Sequence, residues 1–206
     1  RYFMDVHSCR KTQEKEAVPD GAGPLPDRQP DLTGITFLTG TFRKAVQLCL
    51  ADSAATEALG HLLGGLAQDG DVFCLSGDLG AGKTLLSKGV AVALGARKED
   101  VTSPTFSLMN VYNGKSLEIR HFDLYRLNSP EELADIGFYE YAGGEGVTLI
   151  EWADLFTSEL PPEYLQITLE IAPEGRQVEL FPVGPRYEAL CEEVLRYVDS
   201  GIGHSH

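Results

Sequence analysis

The sequence predicts an α/β domain of three layers built on a mixed, mainly parallel central sheet. Three observations predict it. Short apolar runs alternate with stretches of helical periodicity, a glycine-rich turn joins one such run to a helix, and two pairs of strand-like segments flank turn residues.

Residues 45–50 alternate weakly and read as a first strand. Asp52 or Ser53 can cap a helix carried by Leu59, Leu62, Leu63 and Leu66. Residues 71–76 (Asp-Val-Phe-Cys-Leu-Ser) form an apolar run suited to a buried strand. The glycine-rich turn follows, and residues 83–94 carry a helical pattern closed by Gly95. Residues 106–112 and 117–123 read as a hairpin around Asn113-Gly114. Ser129-Pro130-Glu131-Glu132 reads as a helix start, with proline at the first helical position. Residues 147–150 read as a further buried strand that ends at Glu151. Residues 166–171 and 177–182 read as a second hairpin around Pro173-Glu174-Gly175, and residues 187–197 as an amphipathic last helix. The single domain is placed at residues 41–200. Residues 1–40 read as a disordered or loosely ordered N-terminal extension, because residues 11–30 mix Pro, Gly, Asp, Glu and Gln with few large apolar side chains and cannot offset the entropy of ordering. Residues 201–206 read as a tail.

The formal charge of −14 and the 17 Lys and Arg residues make this chain a poor candidate for gripping nucleic acid alone. One local cationic pocket is enough for a nucleotide, so the global charge does not oppose that. The four cysteines (Cys9, Cys49, Cys74 and Cys191) lie far apart and show no zinc spacing, so they read as reduced thiols. No run of about 18 apolar residues suggests a membrane span, and no apolar signal core opens the chain. The expected location is the cytoplasm.

The segment Gly77-Asp78-Leu79-Gly80-Ala81-Gly82-Lys83-Thr84 fits G-x-x-x-x-G-K-[ST] with no mismatch. The glycines let successive backbone N–H groups turn inward around phosphate oxygens, and the following helix adds its positive dipole end. Lys83 brings a point charge to the β and γ phosphates, and the Thr84 hydroxyl can ligate magnesium. This pattern, between an apolar strand and a helix, predicts a P-loop NTPase-like domain that takes ATP and Mg2+. Asp78 is counted with the cofactor-binding residues of the loop, and its carboxylate, which would repel a triphosphate, is expected to point outward.

A nucleotide site of this type also needs an acid near the metal. Glu151, at the end of a buried strand, can hold magnesium directly or through water, or can be a plain solvated strand end. In His121-Phe122-Asp123-Leu124-Tyr125-Arg126, alternation puts His121, Asp123 and Tyr125 on one face. Asp123 can assist the metal or an attacking water, and Arg126 can balance phosphate charge, although each taken singly reads more readily as a structural residue. Ser103 and Thr105, around Pro104, read either as a γ-phosphate sensor or as a plain turn. Trp152, the single tryptophan, can pack over the site, against a partner or into the core.

The order Gly-Asp-Leu-Gly-Ala-Gly-Lys-Thr, Ser-Pro-Thr-Phe, His-Phe-Asp-Leu-Tyr-Arg and Leu-Ile-Glu-Trp resembles the TsaE (YjeE) family over about residues 45–185. Asp52-Ser53-Ala54-Ala55-Thr56 and Pro130-Glu131-Glu132-Leu133 join the match. The resemblance implies a small bacterial ATPase needed to place threonylcarbamoyl on adenosine next to the anticodon of certain tRNAs. It implies action with TsaD and TsaB, weak hydrolysis alone, and contact with tRNA only through that complex. It also implies Leu79 to Thr84 on the phosphates, Thr84, Glu151 and Asp123 at the metal, and Lys83, Asp123 and Glu151 in catalysis. Ser53 from the first helix and Arg176 from the late hairpin are implied near the nucleotide. Ser103, Thr105 and Trp152 are the switch or partner candidates. The chain departs from the family in its longer extension and in Ala153, where proline is frequent. Two other readings stand beside this one. A small-molecule kinase would use the same loop but would need an Arg-rich lid, and no such segment follows the loop helix. A non-catalytic docking module would use ATP only to set a conformation.

Overall fold

Apolar side chains on both faces of a strand demand cover on both faces, and β3 (Val72–Ser76) meets that demand with every residue buried. The computed structural model describes residues 30–37 and 45–202, with side chains described as far as residue 200. Among the described residues, eight strands form one sheet. They are β1 (Ile35–Phe37), β2 (Val46–Leu50), β3, β4 (Met109–Asn113), β5 (Glu118–Asp123), β6 (Val147–Glu151), β7 (Tyr164–Ile171) and β8 (Arg176–Val183). The spatial order is β1-β2-β8-β7-β3-β6-β5-β4. Strands β7, β3, β6 and β5 run parallel at the centre, and antiparallel pairings extend the sheet on both sides.

Helices α1 (Ser53–Leu66), α2 (Lys83–Ala93) and α5 (Pro185–Ile202) cover one face. Short helices α3 (Glu131–Asp135) and α4 (Phe138–Tyr141), with the 3-10 segment Ala153–Glu159, cover the other. Alternation along β3 divides the two cores: Phe73 and Leu75 join the first, Val72 and Cys74 the second. The start of β3 is anchored by α5. The Arg186 guanidinium donates to both carboxylate oxygens of Asp71, at 3.0 and 2.7 Å, and the Val72 amide donates to the Tyr187 hydroxyl at 2.7 Å. Burial pushes the thiols of Cys74 and Cys191 up, the latter to about 12, so both stay protonated within the core.

Several element bounds differ from the sequence expectation, each for a local reason. The start of α1 agrees with it: Asp52, one of the two expected cap residues, accepts from the Ala55 amide at 2.8 Å. Ile35–Phe37 falls inside the segment read as an extension, yet it pairs antiparallel with β2 and buries Ile35. Residues 1–29 lie outside the described residues. The hairpin's first strand begins at Met109, not at residue 106, because Leu108 takes a left-handed φ of 66° and its amide bonds back to the Pro104 carbonyl. Pro130 precedes α3 as its cap residue rather than its first residue. The Glu132 carboxylate takes the amides of Asn128 and Ser129. Helix α5 runs on to Ile202, past the expected boundary at residue 200. Ala153 is buried at the head of its 3-10 segment. No helix among the described residues is long and apolar enough to cross a membrane.

Two glycines set how closely α2 lies on α1. A Cβ at Gly60 would overlap the Leu86 carbonyl, and one at Gly89 would overlap the Glu57 carbonyl. Because α2 begins at the phosphate-loop motif, this crossing also fixes that loop. Gly89→Val is expected to lower stability by about 1–3 kcal/mol through forced separation of the helices. Urea unfolding at unchanged m-value checks this.

Candidate functional site

The parallel register brings the site together. Leu75 of β3 and Asp123 of β5 both pair with Glu151 of β6, so the carboxyl ends of three parallel strands meet at one crevice. A cleft of about 240 Å³ opens there. It is lined by the loop and first turn of α2 (Leu79, Gly80, Gly82, Lys83, Thr84, Leu85), by Ser103 and Thr105, and by Asp123, Tyr125, Glu151 and Trp152.

Gly82 is the cap residue of α2 at φ +112°, a conformation that L side chains resist. It supplies no side-chain cap, so the first-turn amides of α2 remain the natural donors for an anion in the cleft. Lys83 is only 5% exposed. Its ammonium donates to the carbonyls of Gly77 at 2.5 Å and Asp78 at 3.0 Å and sits 3.7 Å from the centroid of the Trp152 ring. Burial holds the Lys83 ammonium below the ordinary lysine range, while Glu151 and Asp123 oppose that shift. Trp152 keeps its place with a left-handed backbone, φ 60°, and tilts against Tyr125 at 4.7 Å. A non-glycine residue held there at a cleft stores strain of about 1–3 kcal/mol that the surrounding packing must balance.

Glu151 is 2% exposed and both its oxygens are engaged. Oε2 accepts from the Thr84 hydroxyl at 2.9 Å, and Oε1 lies 2.8 Å from His121 Nε2. Asp123 takes the hydroxyls of Ser103 (3.1 Å) and Thr105 (2.8 Å) on one oxygen and the Tyr125 amide (3.0 Å) on the other. Thr84, Glu151 and Asp123 form a set of hard oxygen donors. Among the described residues, no trio of His, Cys, Asp or Glu makes a closed metal cage. An open oxygen set beside a cationic loop fits a magnesium ion that arrives with phosphate and keeps part of its water.

Five positions from the sequence reading, Asp78, Ser53, Ala81, Arg176 and Arg126, do not line the cleft. Asp78 is exposed, and its carbonyl is the group that meets Lys83. Ser53 is exposed at the head of α1, whereas Thr56 abuts the loop at Gly82. The Arg176 guanidinium donates to the carbonyls of Ala81 (3.0 Å), Gly80 (3.2 Å) and Gly175 (2.8 Å). It therefore braces the loop instead of facing the cleft. Arg126 stacks over Phe106 at 4.3 Å, likewise outside it. Tyr125 and Leu85 line the cleft, although the sequence reading gave them no role. Their signals were the alternation in residues 121–126 and the first turn of the loop helix.

The family model described as "Threonylcarbamoyl adenosine biosynthesis protein TsaE" matches residues 50–178, a span that holds the loop and both carboxylates. The chain belongs to the TsaE family. It is similar to the tRNA threonylcarbamoyladenosine biosynthesis protein TsaE of Bacillus subtilis, with 45% identity over 69% of this chain and 89% of that protein. It is similar to the TsaE of Treponema pallidum at 43% identity, over 63% of this chain and 95% of that one. The crystal structure of Bacillus subtilis YdiB superposes with a TM-score of 0.63 at 37% identity, covering 77% of this chain and 99% of that chain.

A polyphosphate seated on Lys83 would restore the charged form that burial disfavours. Affinity for inorganic tripolyphosphate is therefore expected to be full at neutral pH and to fall as pH rises through the lowered Lys83 value. Trp152 emission, followed during tripolyphosphate titration between neutral and alkaline pH, measures both the binding and its loss.

Proposed function

We propose that this TsaE protein is an ATPase subunit of the machinery that places threonylcarbamoyl on tRNA adenosine next to the anticodon. It works in the cytoplasm with TsaD and TsaB. The observation that carries the reading is the buried Lys83 ammonium at the mouth of an uncapped helix, opposite the Thr84–Glu151 pair.

Lys83 and the first-turn amides of α2 hold the β and γ phosphates of ATP. Thr84 and Glu151, with Asp123 close by, hold magnesium, which when bound neutralises charge on the triphosphate oxygens. Water attacks the γ-phosphorus, the bond to the bridging oxygen breaks, and ADP keeps its electron pair. Lys83 stabilises the charge gathering on the leaving side. Asp123 fixes Ser103 and Thr105 beside the terminal phosphate and orders the water there. Trp152 caps the ammonium and shields it from solvent. Its family position, where Glu151 is followed by Trp152, makes it the group through which a partner can sense the nucleotide.

The net charge of −14 agrees with a subunit whose partners, and not itself, meet the tRNA. Among the described residues no arginine lines the cleft, and a kinase would need such cations to screen the transferring phosphate. Slow hydrolysis alone and faster hydrolysis with TsaB–TsaD are the expected behaviour. Lys83→Ala is expected to cut the stimulated rate by at least about 100-fold. Phosphate release by the full chain with and without the partners tests this, and full stimulated activity in Lys83→Ala contradicts it.

A further inference from the structure

His121 is fully buried in the middle of a strand, and the proposed chemistry gives it no task. A polar ring in such a place is costly unless both nitrogens are satisfied. Both are. Nε2 lies 2.8 Å from Glu151 Oε1, and Nδ1 lies 3.2 Å from the Tyr112 hydroxyl. The Tyr112 hydroxyl also lies 2.8 Å from the Thr102 carbonyl and receives the Asn110 side-chain amide at 3.2 Å, so Nδ1 meets it as an N–H donor when the hydroxyl proton is on that carbonyl and as an acceptor otherwise.

We propose that His121 and Tyr112 are positioning residues for Glu151, forming a buried relay from the Thr102 carbonyl to the Thr84 hydroxyl. The sheet register builds it. Asn110 of β4 pairs with His121 of β5, and Tyr112 pairs with Ile119, so the tyrosine ring reaches diagonally to the histidine. In turn His121 pairs with Leu149 of β6, two residues before Glu151. The carboxylate is thereby held by one oxygen, which leaves the other directed at Thr84 in the first turn of α2.

The two ends of the relay distinguish it from an ordinary buried pair. One end is a proposed magnesium ligand. The other is the backbone just before Ser103 and Thr105, whose hydroxyls rest on Asp123. Opposite walls of the cleft are thus tied together behind the reacting groups. Removing the ring frees the carboxylate to rotate, and removing only the tyrosine hydroxyl loosens the ring. The inference rests on the reading of Thr84 and Glu151 as the metal side of a nucleotide site.

The test measures nucleotide affinity of the full chain by calorimetry, once with EDTA and once with excess Mg2+. The gain on adding Mg2+ is the readout, and thermal melting checks folding. In His121→Leu the gain is expected to shrink by about 10- to 100-fold while metal-free affinity is unchanged. Tyr112→Phe, which keeps its ring in the core, is expected to show a smaller loss of the same kind. His121→Gln, which keeps an N–H able to reach Glu151, is expected to recover part of the gain lost in His121→Leu. If His121→Leu does not fold, the other two variants carry the test, each with a gain below wild type. A wild-type gain preserved in Tyr112→Phe and in the folded His121 variants overturns the relay alone. A wild-type chain indifferent to Mg2+ overturns the metal-site reading and the relay with it. Equal losses with and without Mg2+ also overturn the relay, because they mark general damage to the cleft.

Discussion

Lys83 carries its charge in a place that water barely reaches. Two carbonyls of its own loop and the face of Trp152 surround the ammonium. Such neighbours are dipoles and a quadrupole, with no carboxylate among the direct contacts that the described residues make. They hold the group in position without neutralising it. Burial therefore weakens the charged form, and an anion that enters the cleft relieves that penalty. The rest of the site is arranged around this enclosed cation, whose charge Glu151 and Asp123 offset only in part. Arg176 braces the loop, Gly82 leaves the helix start open, and the carboxylates stand across the cleft.

The sheet supplies the precision. Parallel pairing aligns Leu75, Glu151 and Asp123 at the same level, so three chain segments far apart in sequence deliver their ends to one crevice. Antiparallel β4 then adds Tyr112 behind the crevice. The close crossing at Gly60 and Gly89 binds α2 to α1, so the loop helix cannot drift relative to the strands. Both cores are thus recruited: one fixes the helix that presents Lys83 and Thr84, and the other packs the 3-10 segment that follows Trp152.

Much of this was legible in the sequence because it depends on local chemistry. The loop motif, the apolar run before it and the helix after it are contiguous, and so are the alternation that puts His121 and Asp123 on one face and the Asn-Gly turn of the hairpin. What was not legible depends on distant register. The direction of the Arg176 guanidinium follows from where β8 brings it beside Gly80 and Ala81. The engagement of both Glu151 oxygens follows from α2 and β5 closing on either side of β6. Strand β1 escaped notice because it has only three residues and gains its stability from pairing with β2. The late start of β4 reflects the left-handed Leu108 and the turn pinned on Asp123, and no propensity encodes either.

Calorimetric titration of the folded full chain with Mg-ATP tests the account most directly, because it asks whether the enclosed cation receives a triphosphate. Saturable one-to-one binding below millimolar ligand is expected, lost when Lys83 is replaced by methionine. Absence of binding at millimolar Mg-ATP in well-folded protein, or equal binding by that variant, would contradict it.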